Sequence, residues 1–264
     1  MEVYLNEISG IGDALIAMRE SKRHITRADE LSIRTLERMC IAEPTLGTRG
    51  FIKRQVTPEE AEKMSGIIDD VAAFNMQLDE FYTDVKKMLK WAKKHITLGK
   101  FIDLSFTVYG MHRGGQDDWD SHAKRFDNRI VRSSTRLADF HDGEMSDFYK
   151  DKILTTDMVA RKLNIKMPEN VYTDGFKYVK TVNGYIREEF ANDKDVKRGL
   201  YNLSIPSDFI FRVNLIEFAH IYQQRNAGTS AHPEVKELAE RAAELVAYAT
   251  ADLVTKEWLL EVEN

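Results

Sequence analysis

Hydrophobic residues recur at helical spacing over most of the chain. Helices are predicted at residues 11–22, 27–41, 116–128, 144–165, 185–200 and 208–225, with a last long helix from His232 to about Leu260. A further helix begins at Thr57-Pro58-Glu59-Glu60, where a capping threonine precedes a proline and two acids in the first turn. Its pattern runs to about Lys94, with a break near Asn75. The sequence therefore predicts a mainly helical protein.

Two segments have the composition of strands instead. Phe101–Tyr109 is rich in β-branched and aromatic residues. Val171–Val182 places strand-like residues on both sides of Thr173-Asp174-Gly175, which predicts a hairpin. With three or four strands in all, we expect a helix-rich α+β fold with a small mixed or antiparallel sheet. No linker interrupts the chain, so residues 1–264 are predicted to form a single domain, with residues 1–45 as a candidate N-terminal extension.

The composition narrows the class of protein. Hydrophobic residues make up 43% and charged residues 31% of the chain, which is typical of soluble globular proteins. The net charge of -5 argues against a general nucleic-acid binder, although a local basic pocket for one phosphate remains compatible with it. No apolar run approaches the roughly 18 residues of a membrane span, and the N-terminus does not resemble a signal peptide. We expect a cytoplasmic protein with no membrane or nucleic-acid partner.

Cysteine and histidine spacing gives no indication of a metal site. Cys40 is the single cysteine, so the chain has no internal disulfide, and its apolar surroundings predict a small buried side chain. His112, His122 and His141 match no zinc-binding spacing, and we expect no metal. Gly114-Gly115 follows a predicted strand but fits neither dinucleotide-binding nor P-loop spacing.

The segment from residue 211 to residue 239 carries the most informative polar pattern. If residues 208–225 form one helix, Asn214 and Arg225 project at nearly the same angle, roughly 16 Å apart along the axis. An apolar stripe and a polar flank lie beside them, formed by Leu215, Phe218, Ala219 and Tyr222 and by Glu217, His220 and Gln224. Two interpretations remain open, namely a helix that lines an extended polar ligand and a solvated face with a few salt bridges.

This segment resembles the C-terminal signature of flavin-dependent thymidylate synthases. That signature has an Asn, a His or Asn six residues later and an Arg five residues after that, which here are Asn214, His220 and Arg225. A loop then leads into Ala231-His232-Pro233-Glu234-Val235, which corresponds to the start of the family's final helix. Sixteen residues before Asn214, where the family commonly has a nucleotide-binding arginine, this chain has Arg198.

A second motif of the family corresponds to residues 122–140. Its closing Ser-x-Arg is present as Ser134-Thr135-Arg136, whereas Lys124-Arg125 replaces part of the family's Arg-His-Arg triplet and Arg132 replaces a Glu. Arginine forks match phosphate oxygens, so this basic run is suited to a nucleotide. The alternative is a basic surface or a salt-bridge belt facing the acids at positions 117, 118, 120 and 127. The resemblance covers roughly residues 80–255.

The resemblance implies an activity and its site. Family members are homotetramers that convert dUMP to dTMP, with FAD as hydride carrier, methylenetetrahydrofolate as carbon donor and NADPH as reductant. Arg225 would be the catalytic residue that stabilises negative charge on the pyrimidine. Substrate binding would involve Ser134, Arg136, Arg198, Arg225 and Arg132, and cofactor binding would involve Lys124, Arg125, Asn214 and His220. Two alternatives remain: modification of another pyrimidine nucleotide, such as UMP or dCMP, and a non-catalytic nucleotide-binding homologue.

Overall fold

The architecture was analysed in a computed structural model of the chain. The structure describes residues 1–22, 25–45, 48–63, 70–121, 129–132, 156–181, 184–193, 200, 203, 205–226 and 231–263. Helices in this part of the chain are α1 (Ile11–Glu20), α2 (Arg27–Cys40), α3 (Pro58–Lys63), α4 (Val71–Ala92), α5 (Ile96–Gly99), α6 (Arg113–Asp120), α7 (Thr156–Lys162), α8 (Leu215–Asn226), α9 (Pro233–Ala249) and α10 (Lys256–Leu260). Strands are β1 (Glu2–Ser9), β2 (Ile41–Thr45), β3 (Thr48–Phe51), β4 (Asp103–His112), β5 (Arg129–Arg132), β6 (Asn170–Thr173), β7 (Phe176–Thr181), β8 (Gly184–Arg187) and β9 (Pro206–Asn214). The protein is thus a mixed helix-and-sheet structure, with more strands than the three or four expected.

The strands form two sheets. The larger sheet has six strands in the order β2-β3-β1-β4-β9-β5, with β1 parallel and β2 antiparallel to β3. The smaller sheet is the antiparallel set β6-β7-β8. β1 therefore lies inside the large sheet, between β3 and β4, although the sequence pattern indicated no strand there.

The chain divides into two compact units. The hairpin unit comprises Met1–Glu2, Val108–Ser121 and Val131–Phe209, and the helical unit comprises Val3–Thr107, His122–Ile130 and Ile210–Asn264. In the helical unit, the core is built around Phe106, which stacks on Phe211 at 4.7 Å and on Phe218 at 5.5 Å between ring centroids. All three rings are fully buried, so the aromatic side chains of two strands and α8 form one packed cluster.

Local signals in the sequence predicted several elements correctly. α1 and α2 lie where expected, and α3 begins after Thr57, whose hydroxyl accepts a hydrogen bond from the Glu60 amide at 3.2 Å. The predicted hairpin is formed by β6 and β7. Its turn residues Asp174 and Gly175 both have positive φ, 53° and 80°, which is the backbone pattern of a type I′ turn.

The helix predicted at residues 208–225 begins only at Leu215, and the helix predicted from residue 185 is replaced by a strand at its start, because strand residues decided the local structure. Residues 208–214 belong to β9, in which Phe209, Phe211 and Val213 are buried and alternate with outward-facing neighbours. Residues 184–187 form β8, in which the buried Ile186 pairs with Val179 of β7, and a 3₁₀ turn at Glu188–Phe190 follows. Residues 194–199 of the predicted helix lie outside the described residues. In both segments, pairing with a neighbouring strand outweighs a helix-like pattern of charges.

Two predicted boundaries also change. The break expected near Asn75 lies before α4, since α4 begins at Val71. Asn75 is inside that helix, and its side chain exchanges hydrogen bonds of 2.7 and 2.9 Å with the backbone of Val56. The last long helix ends at Ala249 rather than near Leu260, because Ala251 and Asp252 adopt left-handed backbone conformations before α10 begins.

Candidate functional site

Asn214 is the last residue of β9 and the cap of α8. Its Oδ1 accepts a hydrogen bond of 2.9 Å from the backbone amide of Glu217, and the residue is 5% exposed. This is the geometry of a helix N-cap, which satisfies one of the amides at the start of the helix. The sequence pattern predicted that Asn214 and Arg225 share one stripe of a helix. This prediction is wrong, because Asn214 lies in a strand.

His220 lies in the middle of α8 and is buried. It is 4% exposed, and its Nε2 lies 3.4 Å from the carbonyl oxygen of Glu263 in the C-terminal segment. All residues from Leu215 to Tyr222 are buried, including Glu217. In the polar flank predicted for this helix, Glu217 and His220 are therefore buried, whereas Gln224 is exposed. Asn214 and His220 are polar side chains enclosed by protein.

The carbonyl groups of the C-terminal segment accept hydrogen bonds from a side chain of α8 and so hold this helix in place. The Gln223 amide donates to the carbonyl oxygen of Leu259, in the last turn of α10, at 2.9 Å and to that of Val262, just after α10, at 3.0 Å. Trp258 donates from Nε1 to the Leu89 carbonyl at 3.1 Å in a buried setting. These contacts attach α8 and α4 to the same terminal segment and fix the position of His220.

Arg225 is half-buried in the last turn of α8, next to a network of polar side chains. The Tyr222 hydroxyl donates to Glu240 at 3.0 Å and accepts from Asn226 at 2.8 Å. Lys256 in turn donates to Glu240 and Glu244. These two hydrogen bonds raise the pKa of Lys256, so the ammonium group remains charged and balances the two carboxylates. The end of α8 is thereby linked to α9 and α10.

Tyr222 is expected to make stability fall at alkaline pH. Burial, followed by the hydrogen bond to Glu240, raises the pKa of Tyr222 from 10.0 to about 12. Between these pH values the unfolded chain loses the phenolic proton while the folded chain keeps it, so the free energy of unfolding decreases as pH rises. Urea unfolding of wild type and Tyr222→Phe should show a stability difference that shrinks over this range. The same substitution at the exposed Tyr172 should leave the alkaline decrease in place, and a constant difference for Tyr222→Phe would contradict this role.

Among the described residues of the hairpin unit, Arg132 is the predicted substrate-binding residue. Its guanidinium group contacts Asp117 at 2.5 Å and Asp120 at 2.6 Å, and both carboxylates belong to α6. This arrangement corresponds to the salt-bridge belt that the sequence left open as an alternative. The remaining candidates Lys124, Arg125, Ser134, Arg136 and Arg198 lie outside the described residues, so their assignments stay predictions.

Gly114 and Gly115 leave room for the ring of His112, and they do not form a phosphate-binding loop. A Cβ at Gly115 would lie 2.5 Å from the ring of the buried His112, and one at Gly114 would lie 3.3 Å from the same ring. The amides of Arg113 and Gly114, at the start of α6, donate to the carbonyl oxygens of Ile205 and Leu203 at 2.9 and 3.0 Å. These contacts agree with the sequence interpretation that this glycine pair is not a nucleotide-binding loop.

The sequence interpretation missed a group of lysines on α4. Lys86, Lys87, Lys90 and Lys93 line a cavity of about 480 Å³ in the helical unit, together with residues that follow α9. The available signal was their spacing, because positions 86, 90 and 93 recur on one face of a helix. Residues 251–253 and 258, which complete the lining, are remote from α4 in sequence. No local pattern therefore indicated a cavity.

Comparison with known proteins gives structural neighbours but no family assignment. No protein-family model matches the chain, and no curated protein matches its sequence. Two crystal structures of thymidylate synthase X from Helicobacter pylori, both with FAD and dUMP, align with a TM-score of 0.46 and 10% sequence identity. The alignments cover 98% and 100% of this chain and all of each matched chain. At this degree of similarity, the alignment by itself assigns neither a substrate nor a cofactor.

No helix in the described part of the chain combines the length and apolar character needed to cross a membrane.

Proposed function

We propose that this chain catalyses the FAD-dependent reductive methylation of dUMP to dTMP, with methylenetetrahydrofolate as carbon donor and NADPH as reductant. One observation carries the proposal: the segment that resembles the family signature forms a single strand–helix element containing two enclosed polar side chains. Asn214 ends β9, and His220 is buried one and a half turns into α8. Polar side chains are buried at an energetic cost, and functional sites are where such a cost is commonly retained.

The donors on this element suit planar heterocyclic ligands. The carboxamide of Asn214 is oriented by the Glu217 amide, so its oxygen and nitrogen positions are fixed. An amide, an imidazole and the guanidinium of Arg225 can bind the carbonyl and ring-nitrogen acceptors of an isoalloxazine and a pyrimidine. Bound FAD would supply hydride transfer, while these residues would bind and orient the rings.

The roles of the individual residues follow the sequence resemblance. Arg225 would stabilise negative charge on the pyrimidine ring through its permanent positive charge. Asn214 and His220, with Lys124 and Arg125, would contact FAD. The nucleotide would be held by Arg132, Ser134, Arg136 and Arg198. We further propose a homotetramer, as in the family that the sequence resembles, with sites shared between subunits.

Arg132 favours a second candidate function, the modification of another pyrimidine nucleotide such as UMP or dCMP. This arginine stands where the family has a glutamate, and Asp117 and Asp120 already occupy its guanidinium group. A site with this altered charge pattern would hold the nucleotide differently from the family's site, which bears directly on the choice of base and sugar.

A flavin titration tests the proposal. Purified protein is expected to bind FAD, and dUMP is expected to change the visible absorption of the bound flavin because both rings would occupy one site. UMP and dCMP serve as matched nucleotides, and a response to one of them in place of dUMP would support the second candidate. Complementation of a thymidine-requiring strain then tests dTMP formation in cells. Protein without bound flavin and without response to added FAD would refute both candidates.

A further inference from the structure

A cavity in the helical unit combines a basic wall with an apolar wall. Lys86, Lys87, Lys90 and Lys93 of α4 lie on one side of its lining. Leu89 and Trp258, both buried, contribute apolar surface together with Leu253. Its volume of about 480 Å³ falls within the roughly 300–1,000 Å³ of sites that bind small organic molecules.

Two of the lysines have no acidic partner in the described part of the chain. Lys87 lies 3.4 Å from Asp84, and Lys93 pairs with Glu261. Lys86 and Lys90, by contrast, have no carboxylate within ion-pair distance among the described residues. They are one helical turn apart on the same face of α4, so two positive charges lie beside each other at the cavity. Like charges at this spacing repel each other, and a bound dianion would remove that repulsion.

Hydrogen bonds fix the segment after α9 that contributes Ala251 and Asp252 to the cavity lining. Ala251 and Asp252 are consecutive non-glycine residues in the left-handed region, with φ of 48° and 59°. The amide of Asp252 donates to the Ala247 carbonyl at 2.8 Å, and the Val254 amide donates to the Thr250 hydroxyl at 3.1 Å. Non-glycine residues in this region are strained and cluster at ligand-binding positions in proteins. Asp252 belongs to the lining, and its carboxylate is an acceptor suited to a ligand hydroxyl.

A hydrogen bond between two lining residues joins α4 to α10. Trp258 Nε1 donates to the carbonyl oxygen of Leu89 at 3.1 Å. The indole is therefore locked against α4, and its position does not depend on a ligand to order it. A preformed apolar surface lowers the entropic cost of binding a flat ring.

We propose that this cavity binds an aryl or heteroaryl phosphate. The flat ring would lie against Trp258, Leu89 and Leu253, and the phosphate would contact Lys86 and Lys90, whose ammonium groups bind phosphate as point charges. None of the lining residues belongs to the proposed pyrimidine or flavin site, so this binding site does not rest on the proposed function. Nucleotides and non-nucleotide aryl phosphates share the required chemistry.

Calorimetric titration of the full chain with matched ligands tests the proposal. ADP and 1-naphthyl phosphate carry both a ring and a phosphate, whereas inorganic pyrophosphate and adenosine each carry only one of the two features. At least one of the first pair is expected to bind about tenfold more tightly than either of the second pair. Binding of ADP alone identifies a nucleotide site, and binding of 1-naphthyl phosphate identifies a site for simpler aryl phosphates. The proposal would be overturned if pyrophosphate bound as tightly as ADP and 1-naphthyl phosphate. It would also be overturned if neither ADP nor 1-naphthyl phosphate bound.

Charge reversal locates the bound ligand. The variant Lys86→Glu/Lys90→Glu is expected to weaken binding by about tenfold or more, and the loss should shrink at high salt. The control Lys94→Glu/Lys100→Glu makes the same change in net charge at exposed lysines outside the cavity, and it should change the affinity by less than about twofold. Lys86→Gln/Lys90→Gln repeats the test without introducing negative charge. Unchanged affinity in both cavity variants would place the ligand elsewhere and overturn the proposal.

Discussion

Gly10→Ala is expected to destabilise the chain by about 3 to 5 kcal/mol, or to prevent folding altogether. Gly10 joins β1 to α1 with a φ of 84°, a left-handed conformation that disfavours any residue with a Cβ. A Cβ there would lie 1.9 Å from the carbonyl oxygen of Phe101 and 3.0 Å from its carbon. Because these are backbone atoms, no rotamer change relieves the overlap, and β1 or the segment before β4 must move.

Gly175→Ala provides the matched control for this prediction. Gly175 has a similar φ of 80°, but no heavy atom lies within 4 Å of the position its Cβ would take. The control therefore measures only the cost of placing an alanine in the left-handed conformation, which is about 1 kcal/mol in the free energy of unfolding. Urea unfolding followed by circular dichroism gives both values. Similar losses for the two variants would show that the close approach to Phe101 contributes little.

Arg225→Ala is expected to lower turnover by about 10² to 10³-fold, provided that the proposed function is correct. The guanidinium would stabilise negative charge that develops on the pyrimidine, and alanine leaves that charge without a counterpart. The effect should appear mainly in kcat, because the charge is largest in the transition state. Initial rates of dTMP formation, with FAD binding measured in parallel, separate a catalytic loss from a loss of cofactor.

Two further variants control for unspecific effects of removing an arginine. Arg241 is an exposed residue of α9 that pairs with Glu237 at 2.6 Å, and Arg241→Ala should leave turnover unchanged. Arg225→Lys keeps the positive charge but loses the planar fork, so we expect an intermediate rate. If Arg225→Ala retains the wild-type rate while its thermal stability is also unchanged, the catalytic role of Arg225 is excluded.

Local sequence features predicted those elements whose hydrogen bonds close within a few residues. The Thr57 cap and the turn at Asp174 and Gly175 satisfy their own backbone groups, so the residues involved are adjacent in sequence. The β9 segment was different. Phe209, Phe211 and Val213 alternate with a period of two, which is a strand pattern that the helix predicted at residues 208–225 overlooked. Pairing with strands from distant parts of the chain places this segment inside the large sheet.

The candidate site shows the same division between local and long-range information. The sequence placed Asn214, His220 and Arg225 at a spacing that resembles a known signature, and α8 does begin after Asn214 and end after Arg225. It did not indicate that Asn214 would end a strand, which turns an expected helical stripe into a strand–helix junction. Nor did it distinguish between a phosphate and a carboxylate as the partner of Arg132.

The sequence by itself determined a helix-rich α+β chain, its cap and turn positions, and the order of the polar residues that form the candidate site. Only the tertiary structure decided that His220 is enclosed by the segment ending at Glu263, that Arg132 contacts α6, and that the lysines of α4 face a cavity. Each of these depends on groups brought together from distant positions. Long-range packing of this kind sets burial and charge pairing, which no local pattern of residue types contains.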